Sequence, residues 1–360
     1  MSKNILELCL SPDLGGLELC AIDYFSYFKT QTTAYLCVAP DTKLDKRLED
    51  ENKFLLQRNK FFPIFPAIKL ARFIDKNEID FIHFHWTRDI ATVVLAKVIS
   101  KKKPKVMQSR HMNITRFKSD FYHKWLYKNI NIMHAVTNQV KEQLQTFIPQ
   151  EIRPKLEMIY LGINEPVISE EIGLQLKKKH NIHNEFIVGI IGRIEAAKGQ
   201  YILIEAISIL KDLDIKALIV GHAMDEPYRN ELQKKIRELG IEDKVIFTGF
   251  TKNVNEYLSL CDVSVLITKK ETFGLVVIES MVNKTPVIAT ANGGPLEIID
   301  DNINGLLVDR DTEHLAQKIK LLYDNETFKN DLGLNGYIKV KDSFSKDKQM
   351  KKMHKVINES

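Results

Sequence analysis

Short apolar segments alternate with amphipathic or charged segments along nearly the whole chain. The apolar segments predict strands at residues 5–10, 34–39, 80–86, 105–110, 132–137 and 156–160, and again at 186–193, 216–220, 245–250, 262–268 and 285–290. The intervening segments predict helices at residues 17–29, 45–60, 87–100, 119–129, 138–147, 170–180, 198–211, 312–323 and 345–358. Repeated alternation of strand and helix is typical of parallel, doubly wound sheets, so we expect an α/β fold.

The segment at residues 162–166 divides this alternation into two series. It reads Gly-Ile-Asn-Glu-Pro, and its glycine and proline interrupt the pattern before a charged helix restarts it. A chain of 360 residues is long enough for two domains of ordinary size. We predict an N-terminal domain over residues 1–164, a C-terminal domain over residues 165–342, and a C-terminal helical segment over residues 343–360.

Composition excludes several classes of protein. With 44% hydrophobic and 28% charged residues, the chain is neither disordered nor fibrous. Its four cysteines, Cys9, Cys20, Cys37 and Cys261, have no paired or metal-type spacing, which favours buried thiols in a reducing compartment. No apolar run approaches the roughly 18 residues of a membrane span, and no secretory signal region is recognised. We expect a cytoplasmic protein whose membrane contact, if it has any, is peripheral and on the inner face of the cytoplasmic membrane.

Positive charge is concentrated in the first half of the chain. Residues 1–165 carry 25 Lys and Arg against 18 Asp and Glu, and residues 97–128 alone carry ten bases and one acid, Asp120. Aromatic side chains lie within this segment, among them Phe117, Phe121, Tyr122 and Trp125. Such a surface suits nucleic acid, an anionic membrane or an anionic acceptor, although a solvated face with core aromatics is equally compatible.

A second apolar feature precedes this segment. Residues 61–66 read Phe-Phe-Pro-Ile-Phe-Pro, and the two prolines predict a loop that exposes its apolar side chains, because proline disfavours a helix.

The stretch from Glu271 to Glu279 is the strongest candidate for a functional site. It reads Glu-Thr-Phe-Gly-Leu-Val-Val-Ile-Glu and lies between two predicted strands, so its loop falls at the carboxyl end of a parallel sheet, where open α/β sheets bind ligands. Glycine permits close approach of a phosphate, and a helix N-terminus offers free amide donors. Spacing alone also fits two ordinary surface acids on an amphipathic helix.

Histidines follow two predicted strands of the first half. His83 and His85 share one strand face by alternation, which raises the question of a metal pair, but no third ligand at a telling spacing appears and we predict no metal. His111 begins the loop after residues 105–110, a usual place for a functional polar residue. Gly15 and Gly16 follow the first predicted strand, where their amides suit either a phosphate or a plain tight turn.

Two cations follow the first strand of the second series. Arg193 ends the segment Gly192-Arg193, and Lys198 precedes Gly199 at the start of a helix, so both lie at one strand end, where they are able to neutralise a diphosphate.

The order of these motifs resembles glycosyltransferase family 4, which has the GT-B fold of two Rossmann-like domains facing a central cleft. The resemblance covers residues 186–310 and rests on Gly192-Arg193, Lys198-Gly199, Gly249-Phe250, Glu271 with Glu279, Asn292-Gly-Gly and Asn304-Gly-Leu. The first half is similar more loosely, through the Gly-Gly loop, His111 and the segment from Tyr160 to Asn164.

The resemblance implies a retaining, metal-independent transferase, with a hexose as the sugar, acting on a nucleoside diphosphate sugar with no cofactor required. It implies that Arg193 and Lys198 hold the diphosphate, Glu271 and His111 face the transferred sugar, and Glu279 binds the ribose hydroxyls. The other positions implied at the donor site are Gly15, Gly16, Gly192, Gly249, Phe250, Thr272, Phe273, Gly274 and Leu275. In this family the leaving phosphate is thought to take the acceptor's proton, so no separate base is expected. The C-terminal helix of the family usually packs back on the first domain.

We expect the first domain to select the acceptor. Residues Arg110, Arg116, Lys118, Lys124 and Trp125 are our candidates for contact with an anionic membrane or a lipid-linked glycan acceptor. A pathway of bacterial surface polysaccharide or lipopolysaccharide is our first hypothesis, with a UDP-sugar favoured over a GDP-sugar and no nucleic-acid partner. A nucleoside diphosphate sugar epimerase, a nucleotide-sugar sensor without turnover and a nucleic-acid-binding protein remain as alternatives. The sequence leaves the oligomeric state open.

Overall fold

The computed structural model describes residues 3–59 and 62–360, which form two compact units. The first unit extends to Tyr160 and includes Asp347–Ser360, and the second is Leu161–Lys346. Each unit holds one parallel sheet with helices between successive strands, as the alternation predicts. The predicted fold class of two Rossmann-like, doubly wound domains is therefore confirmed, while the domain boundaries drawn at residues 164 and 342 stay predictions.

The first unit is built on a seven-stranded sheet. Its strands are β1 Ile5–Cys9, β2 Ala34–Val38, β3 Lys53–Leu55, β4 Phe81–Phe84, β5 Lys105–Arg110, β6 Ile132–Ala135 and β7 Lys155–Met158. Its helices are α1 Gly16–Lys29, α2 Lys43–Arg47, α3 Ile64–Lys76, α4 Ile90–Ile99, α5 Phe121–Lys128 and α6 Asn138–Phe147. The strand order is β3-β2-β1-β4-β5-β6-β7, so the winding reverses between β1 and β4, and ligands of such sheets bind at the carboxyl ends beside the reversal.

The second unit is built on a six-stranded sheet. Its strands are β8 Phe186–Ile191, β9 Ile215–Val220, β10 Val245–Gly249, β11 Val263–Leu266, β12 Val287–Thr290 and β13 Leu306–Val308. Its helices are α7 Glu170–Lys179, α8 Gln200–Ile209, α9 Glu226–Leu239, α10 Val254–Leu260, α11 Leu275–Val282, α12 Pro295–Ile298, α13 Thr312–Asp324 and α14 Glu326–Ser343. The order β10-β9-β8-β11-β12-β13 reverses between β8 and β11. The loops that follow these two strands carry Lys198 and Glu271.

The cores explain why the strands read as continuous apolar runs. Helices cover both faces of each sheet, so both faces of a strand are buried, and every residue of β1, β4, β6, β11 and β12 is buried. Polar residues inside such strands therefore need hydrogen-bond partners within the sheet. The first unit contains several, and they form the buried cluster described below.

The helix predicted at residues 45–60 is wrong. A short helix, α2, ends at Arg47, and Lys53–Leu55 forms strand β3, which pairs in parallel with β2. The Phe54 ring stacks on Phe73 at 4.1 Å between centroids, and Lys53 pairs with Asp45 at 2.7 Å. An edge strand with one solvated side tolerates charged residues, which hid it in the sequence.

The prediction of a loop at residues 61–66 is wrong for residues 64–66, which are helical. Helix α3 begins at Ile64, with Pro63 at its N-cap and Pro66 in its first turn. Proline is tolerated there because the first helical amides have no intrahelical partner to lose. Phe61 lies outside the described residues.

The last helix, α15 (Lys346–Asn358), lies largely in the first unit. The Gln349 Nε2 donates to the Tyr24 hydroxyl at 2.6 Å, and Met353 and Ile357 are fully buried. Lys3 donates from Nζ to the Ile357 carbonyl oxygen at 2.6 Å, near the end of the helix.

Candidate active site

Lys198 and Glu271 meet at the carboxyl edge of the second sheet. The Lys198 Nζ lies 3.1 Å from the Glu271 Oε2, and both side chains are largely shielded, with 25% and 17% of their surface exposed. The two residues are brought together because β8 and β11 are neighbouring parallel strands whose loops leave the same edge. Arg193 is not part of this pair, since its side chain is 61% exposed and its guanidinium contacts Glu195 at 3.3 Å.

The loop that carries Lys198 is held against the end of β11. The amide of Lys269 donates to the Ala197 carbonyl at 2.9 Å, and the guanidinium of Arg310 donates to the carbonyls of Ile267 and Ala196 at 3.3 and 3.2 Å. Gly199 makes this approach possible, because a Cβ there would lie 2.2 Å from the Ile267 carbonyl oxygen and its φ is +78°. The position of Lys198 is thus fixed by packed backbone.

The loop that carries Glu271 is held by the loop after β12. The Glu271 amide donates to the Asn292 Oδ1 at 3.3 Å, and the Asn292 Nδ2 donates to the Thr268 carbonyl at 3.1 Å. The Gly294 amide donates to the Glu271 carbonyl, also at 3.3 Å. Asn292 and Arg310 were not among the predicted site residues. Asn292 lies in the Asn-Gly-Gly motif that was noticed, whereas no local pattern marks Arg310.

Helix α11 begins at Leu275, four residues after Glu271. Its N-cap is Gly274, with φ +91°, and the Val277 amide donates to the Gly274 carbonyl at 2.9 Å. The amides of Leu275 and Val276 precede this bond, so they are the orphan donors of a helix N-terminus, which carries a partial positive charge. Phe273, in the turn before the helix, is buried. The arrangement places an anion-binding end beside Lys198 and Glu271.

Glu279 lies in the second turn of α11 and is partly buried. Burial raises the pKa of its carboxyl group, and the charge of Lys346 opposes this shift. Within residues 3–59 and 62–360 the carboxylate accepts no hydrogen bond, and only its backbone carbonyl is engaged, by Asn283 at 2.7 Å. A shielded carboxylate without a protein donor is suited to binding hydroxyl groups of a ligand.

A small cavity of about 80 Å³ lies beside these loops, at the carboxyl ends of β8, β9 and β10. It is lined by Ile194, Gly221, His222, Ala223, Glu226, Arg229, Phe247 and Gly249. Gly192 and Gly221 approach each other here, since a Cβ at Gly221 would lie 1.8 Å from the Gly192 carbonyl oxygen. Phe250 is 72% exposed and does not line the cavity. The sequence predicted Gly192 and Gly249 and missed Gly221, His222 and Arg229.

The predicted glycine loop of the first unit forms the start of α1. Gly15 is the N-cap, and its amide donates to the Glu18 Oε2 at 2.9 Å, so this donor is already engaged within the loop. Gly16 is the first helical residue and is exposed.

A buried polar cluster lies beside the reversal of the first sheet. Glu7, on β1, contacts His83 Nδ1 at 3.0 Å and His85 Nε2 at 2.8 Å, and all three side chains are inaccessible to solvent. His85 in turn contacts His111, which is partly exposed at the end of β5. Three ligand-type atoms within 4.8 Å of one another are the arrangement that sequence reasoning sought without finding a third member. Glu7 escaped notice because it lies 76 residues from His83.

The basic and aromatic segment is exposed only in part. Phe117, Phe121 and Tyr122 are 64%, 87% and 52% exposed, and Arg116 and Lys124 also face solvent. Lys118 and Trp125 are partly buried. Arg110 corrects the predicted surface, because it is buried and donates to the Thr87 hydroxyl and to the carbonyls of Met112 and Asn113. Among the described residues, none of the helices has the length and apolarity needed to cross a bilayer.

Comparison with known families covers both units. The family described as Glycosyltransferase Family 4 matches residues 15–165, and the family described as Glycosyl transferases group 1 matches residues 174–339. A curated relative, the N-acetyl-alpha-D-glucosaminyl L-malate synthase of Bacillus anthracis, is 30% identical over 73% of this chain and 71% of its own length. The chain belongs to glycosyltransferase family 4.

Two further similarities place this glycosyltransferase among its relatives. The N-acetylgalactosamine-N,N'-diacetylbacillosaminyl-diphospho-undecaprenol 4-alpha-N-acetylgalactosaminyltransferase of Campylobacter jejuni is 29% identical over 62% of this chain and 59% of its own length. The crystal structure of Anabaena HepE in complex with UDP-glucose covers 100% of both chains, with a TM-score of 0.87 and 21% identity. The latter similarity shows the shared GT-B fold.

Proposed function

We propose that this glycosyltransferase moves a hexose from a nucleoside diphosphate sugar to a glycan or lipid-linked acceptor, with retention of configuration and without a metal ion. The observation that carries the proposal is the set of groups at one edge of the second sheet. Lys198 and Glu271 lie 3.1 Å apart beside the N-terminus of α11, and Glu279 follows in the same helix. A cation, free amides and carboxylates are what a diphosphate joined to two sugars requires.

The cations and amides take the diphosphate. Lys198 supplies a point charge, Arg193 is free to swing from its exposed pairing with Glu195, and the first amides of α11 donate to phosphate oxygens. As the bond from the sugar C1 to the phosphate oxygen breaks, negative charge develops on the diphosphate, and groups that already face it stabilise that charge. The acceptor oxygen bonds to C1, and its proton passes to the leaving phosphate.

Donor binding also divides the Lys198–Glu271 pair. A phosphate that draws the Lys198 ammonium away leaves the Glu271 carboxylate as an acceptor for hydroxyls of the transferred sugar. Because both side chains are shielded, the ion pair holds each of them in place before the donor arrives. Glu279, which has no protein donor among the described residues, accepts the ribose hydroxyls.

The relatives support the choice of substrates. The crystal structure of HepE contains UDP-glucose, which favours a UDP-sugar as the donor. The Campylobacter jejuni relative is named for an undecaprenol diphosphate acceptor, which favours a lipid-linked glycan and a role in bacterial surface polysaccharide or lipopolysaccharide synthesis. Both matched families are families of transferases, and the epimerase alternative gains no support from them.

The exposed aromatics beside basic side chains suit a membrane-bound acceptor. Phe117, Phe121 and Tyr122 project from the same segment as Arg116 and Lys124, the combination that binds anionic interfaces. We propose peripheral contact with an anionic leaflet through this surface. Flotation with vesicles of anionic lipid tests it, with Phe117→Ser/Phe121→Ser as the variant and neutral vesicles as the control. Equal flotation of the wild type and the variant would exclude membrane contact through this surface.

Donor and turnover are tested together. A panel of nucleoside diphosphate sugars is screened for thermal stabilisation, with and without a chelator, because a ligand of the folded state raises the melting temperature. The best donor is then incubated alone and with a lipid-linked acceptor, and the sugar products are analysed. We expect transfer only with acceptor, an unchanged anomeric configuration and no effect of the chelator. Conversion of the donor alone would instead indicate an epimerase, and stabilisation without any product would indicate a sensor.

A further inference from the structure

A continuous chain of hydrogen bonds crosses the first sheet inside the protein. Its members, in order from the end of β7, are the Ile159 carbonyl, His134, Ser109, His83, Glu7, His85 and His111. Parallel pairing aligns them, because Glu7 lies opposite His83 in the β1–β4 register and Ser109 opposite His134 in the β5–β6 register. All but the last side chain are buried, so each contact must satisfy both partners.

The Ile159 carbonyl determines which atoms carry protons in the first half of this chain of hydrogen bonds. A carbonyl only accepts, so His134 must donate from Nε2 to Ile159, at 2.7 Å. A neutral His134 then has a lone pair on Nδ1, and Ser109 donates to it at 2.6 Å. Having used its proton, the Ser109 hydroxyl accepts from His83 Nε2, at 2.7 Å. A neutral His83 is therefore left with a lone pair on Nδ1.

That lone pair faces Glu7, which must supply the proton. The His83 Nδ1 lies 3.1 Å from Glu7 Oε1 and 3.0 Å from Oε2, and a contact between a lone pair and a carboxylate would be repulsive, so Glu7 beside a neutral His83 is a carboxylic acid. Because His85 engages Oε2, we place the proton on Oε1. Its Oε2 then accepts from His85 Nε2 at 2.8 Å. His85 is left with a lone pair on Nδ1, and this accepts from His111 Nε2 at 3.3 Å.

The surroundings favour this uncharged assignment. Burial raises the pKa of Glu7 to about 7 and lowers the pKa of both His85 and His111 to about 3. The Tyr24 ring covers His83 and His85 at 5.0 and 5.6 Å between centroids, and Arg110 adds a positive charge that opposes protonation of His111. An ionised Glu7 would need a buried imidazolium next to it, and burial opposes the charged form of both groups.

We propose that Glu7 is a positioning residue whose carboxylic acid form fixes His111, through His85, as the tautomer that is protonated on Nε2 and unprotonated on Nδ1. No hydrogen bond to the His111 Nδ1 occurs among the described residues, so this nitrogen is an acceptor at the end of β5. Resting on the proposed function, the inference assigns it to a hydroxyl of a substrate, which must donate. The specificity consequence is that a substrate bearing only an acceptor at that position is rejected.

Two substitutions at Glu7 distinguish this role from simple packing. In Glu7→Gln the amide NH₂ donates to His83 and the amide oxygen accepts from His85, so every proton of the chain keeps its place. In Glu7→Leu the volume is kept but both bonds are lost, and His85 and His111 become free to change tautomer. We expect the Gln variant to match the wild type, and the Leu variant to lose about tenfold in kcat/KM for the donor, the effect of one hydrogen bond.

The direct readout is the tautomer of His111, observed by ¹⁵N NMR of histidine-labelled protein without any ligand. We expect an unprotonated Nδ1 in the wild type and in Glu7→Gln, and a mixture of tautomers in Glu7→Leu. A protonated Nδ1 in the wild type overturns the proposal, as does a Glu7→Gln variant that behaves like Glu7→Leu. If Glu7→Leu does not fold, the His111 tautomers of the wild type and of Glu7→Gln still test the proposal.

Metal analysis of the purified protein completes the test. One bound metal ion per chain, retained by the wild type and lost by Glu7→Gln, would show that the cluster is a metal site and overturn the hydrogen-bond chain. The NMR result does not depend on transfer. An enzyme without the proposed activity but with the expected tautomers would therefore support the role of Glu7 while excluding a substrate hydroxyl as the partner of the His111 Nδ1.

Discussion

The uncharged state of the buried cluster predicts how the stability of the first unit changes between pH 7 and pH 5. His85 and His134 have pKa values lowered to about 3 and about 4, against an ordinary value of 6.5. As the pH falls from 7 to 5, these histidines become protonated in the unfolded chain but stay neutral in the folded chain. Each of them therefore lowers the free energy of unfolding by about 2 kcal/mol over this interval. The lowered pKa values of His83 and His111 act in the same direction.

Glu7 acts in the opposite direction. Its pKa is about 7 when folded and 4.5 ordinarily, so at pH 5 the folded chain holds a proton that the unfolded chain has lost. This contribution is fully present below the ordinary value and disappears as the pH rises through the folded value. It stabilises the folded state by about 2 kcal/mol at pH 5 relative to pH 7 and so offsets one histidine.

Glu7→Gln isolates that contribution, since it keeps the hydrogen bonds and removes the titration. We expect the variant to lose about 2 kcal/mol more than the wild type on going from pH 7 to pH 5. Both tryptophans, Trp86 and Trp125, lie in the first unit, so urea unfolding followed by tryptophan fluorescence reports this unit specifically. Parallel stability curves for the two proteins would refute the assignment of a protonated Glu7, and a wild-type curve that is flat would refute the neutral histidines.

Three further predictions concern the second unit. Lys198→Ala should lower kcat by about a hundredfold or more, because it removes stabilisation of the leaving charge. Lys270→Ala, at an exposed position on the neighbouring loop that carries Glu271, should leave kcat within about twofold, and equal losses would argue against a specific role for Lys198. Glu279→Ala should abolish the thermal stabilisation by the donor while the ligand-free melting temperature stays the same, and an unchanged donor affinity would exclude the ribose contact. Gly199→Ala should lower the free energy of unfolding by about 2 kcal/mol or more, because its Cβ would meet the Ile267 carbonyl. Gly240→Ala, also at positive φ but with open space around the Cβ, should lower it by about 1 kcal/mol. Urea unfolding of the two variants makes the comparison.

The local pattern determined most of the secondary structure. Helix α6 begins and ends where the sequence predicted it, at Asn138 and Phe147, and the predicted strand ends elsewhere are within a few residues of the observed ones. These elements are recognisable because burial on both faces of a parallel sheet demands apolar runs, and a helix against the sheet demands the 3.6-residue period. The motif from Glu271 to Glu279 could be placed at a strand end for the same reason.

The secondary-structure predictions from the sequence failed where a tertiary contact overrides the local pattern. Charged residues around Lys53 predicted a helix, but Phe54 packs on Phe73 and the segment adds an edge strand to β2. Pro66 predicted a loop, but it occupies the one turn of α3 that needs no amide donor. Neither outcome is visible in a window of neighbouring residues.

The sequence by itself determined the fold class, the family and the loop that carries Glu271. Only the tertiary structure decided that Lys198 and Glu271 form a pair and that Glu7 reaches two histidines about eighty residues away. The physical reason is strand register. Which side chains meet across a sheet depends on how distant strands align, and a carboxyl group becomes an acid or a carboxylate according to the partners and burial that this alignment gives it.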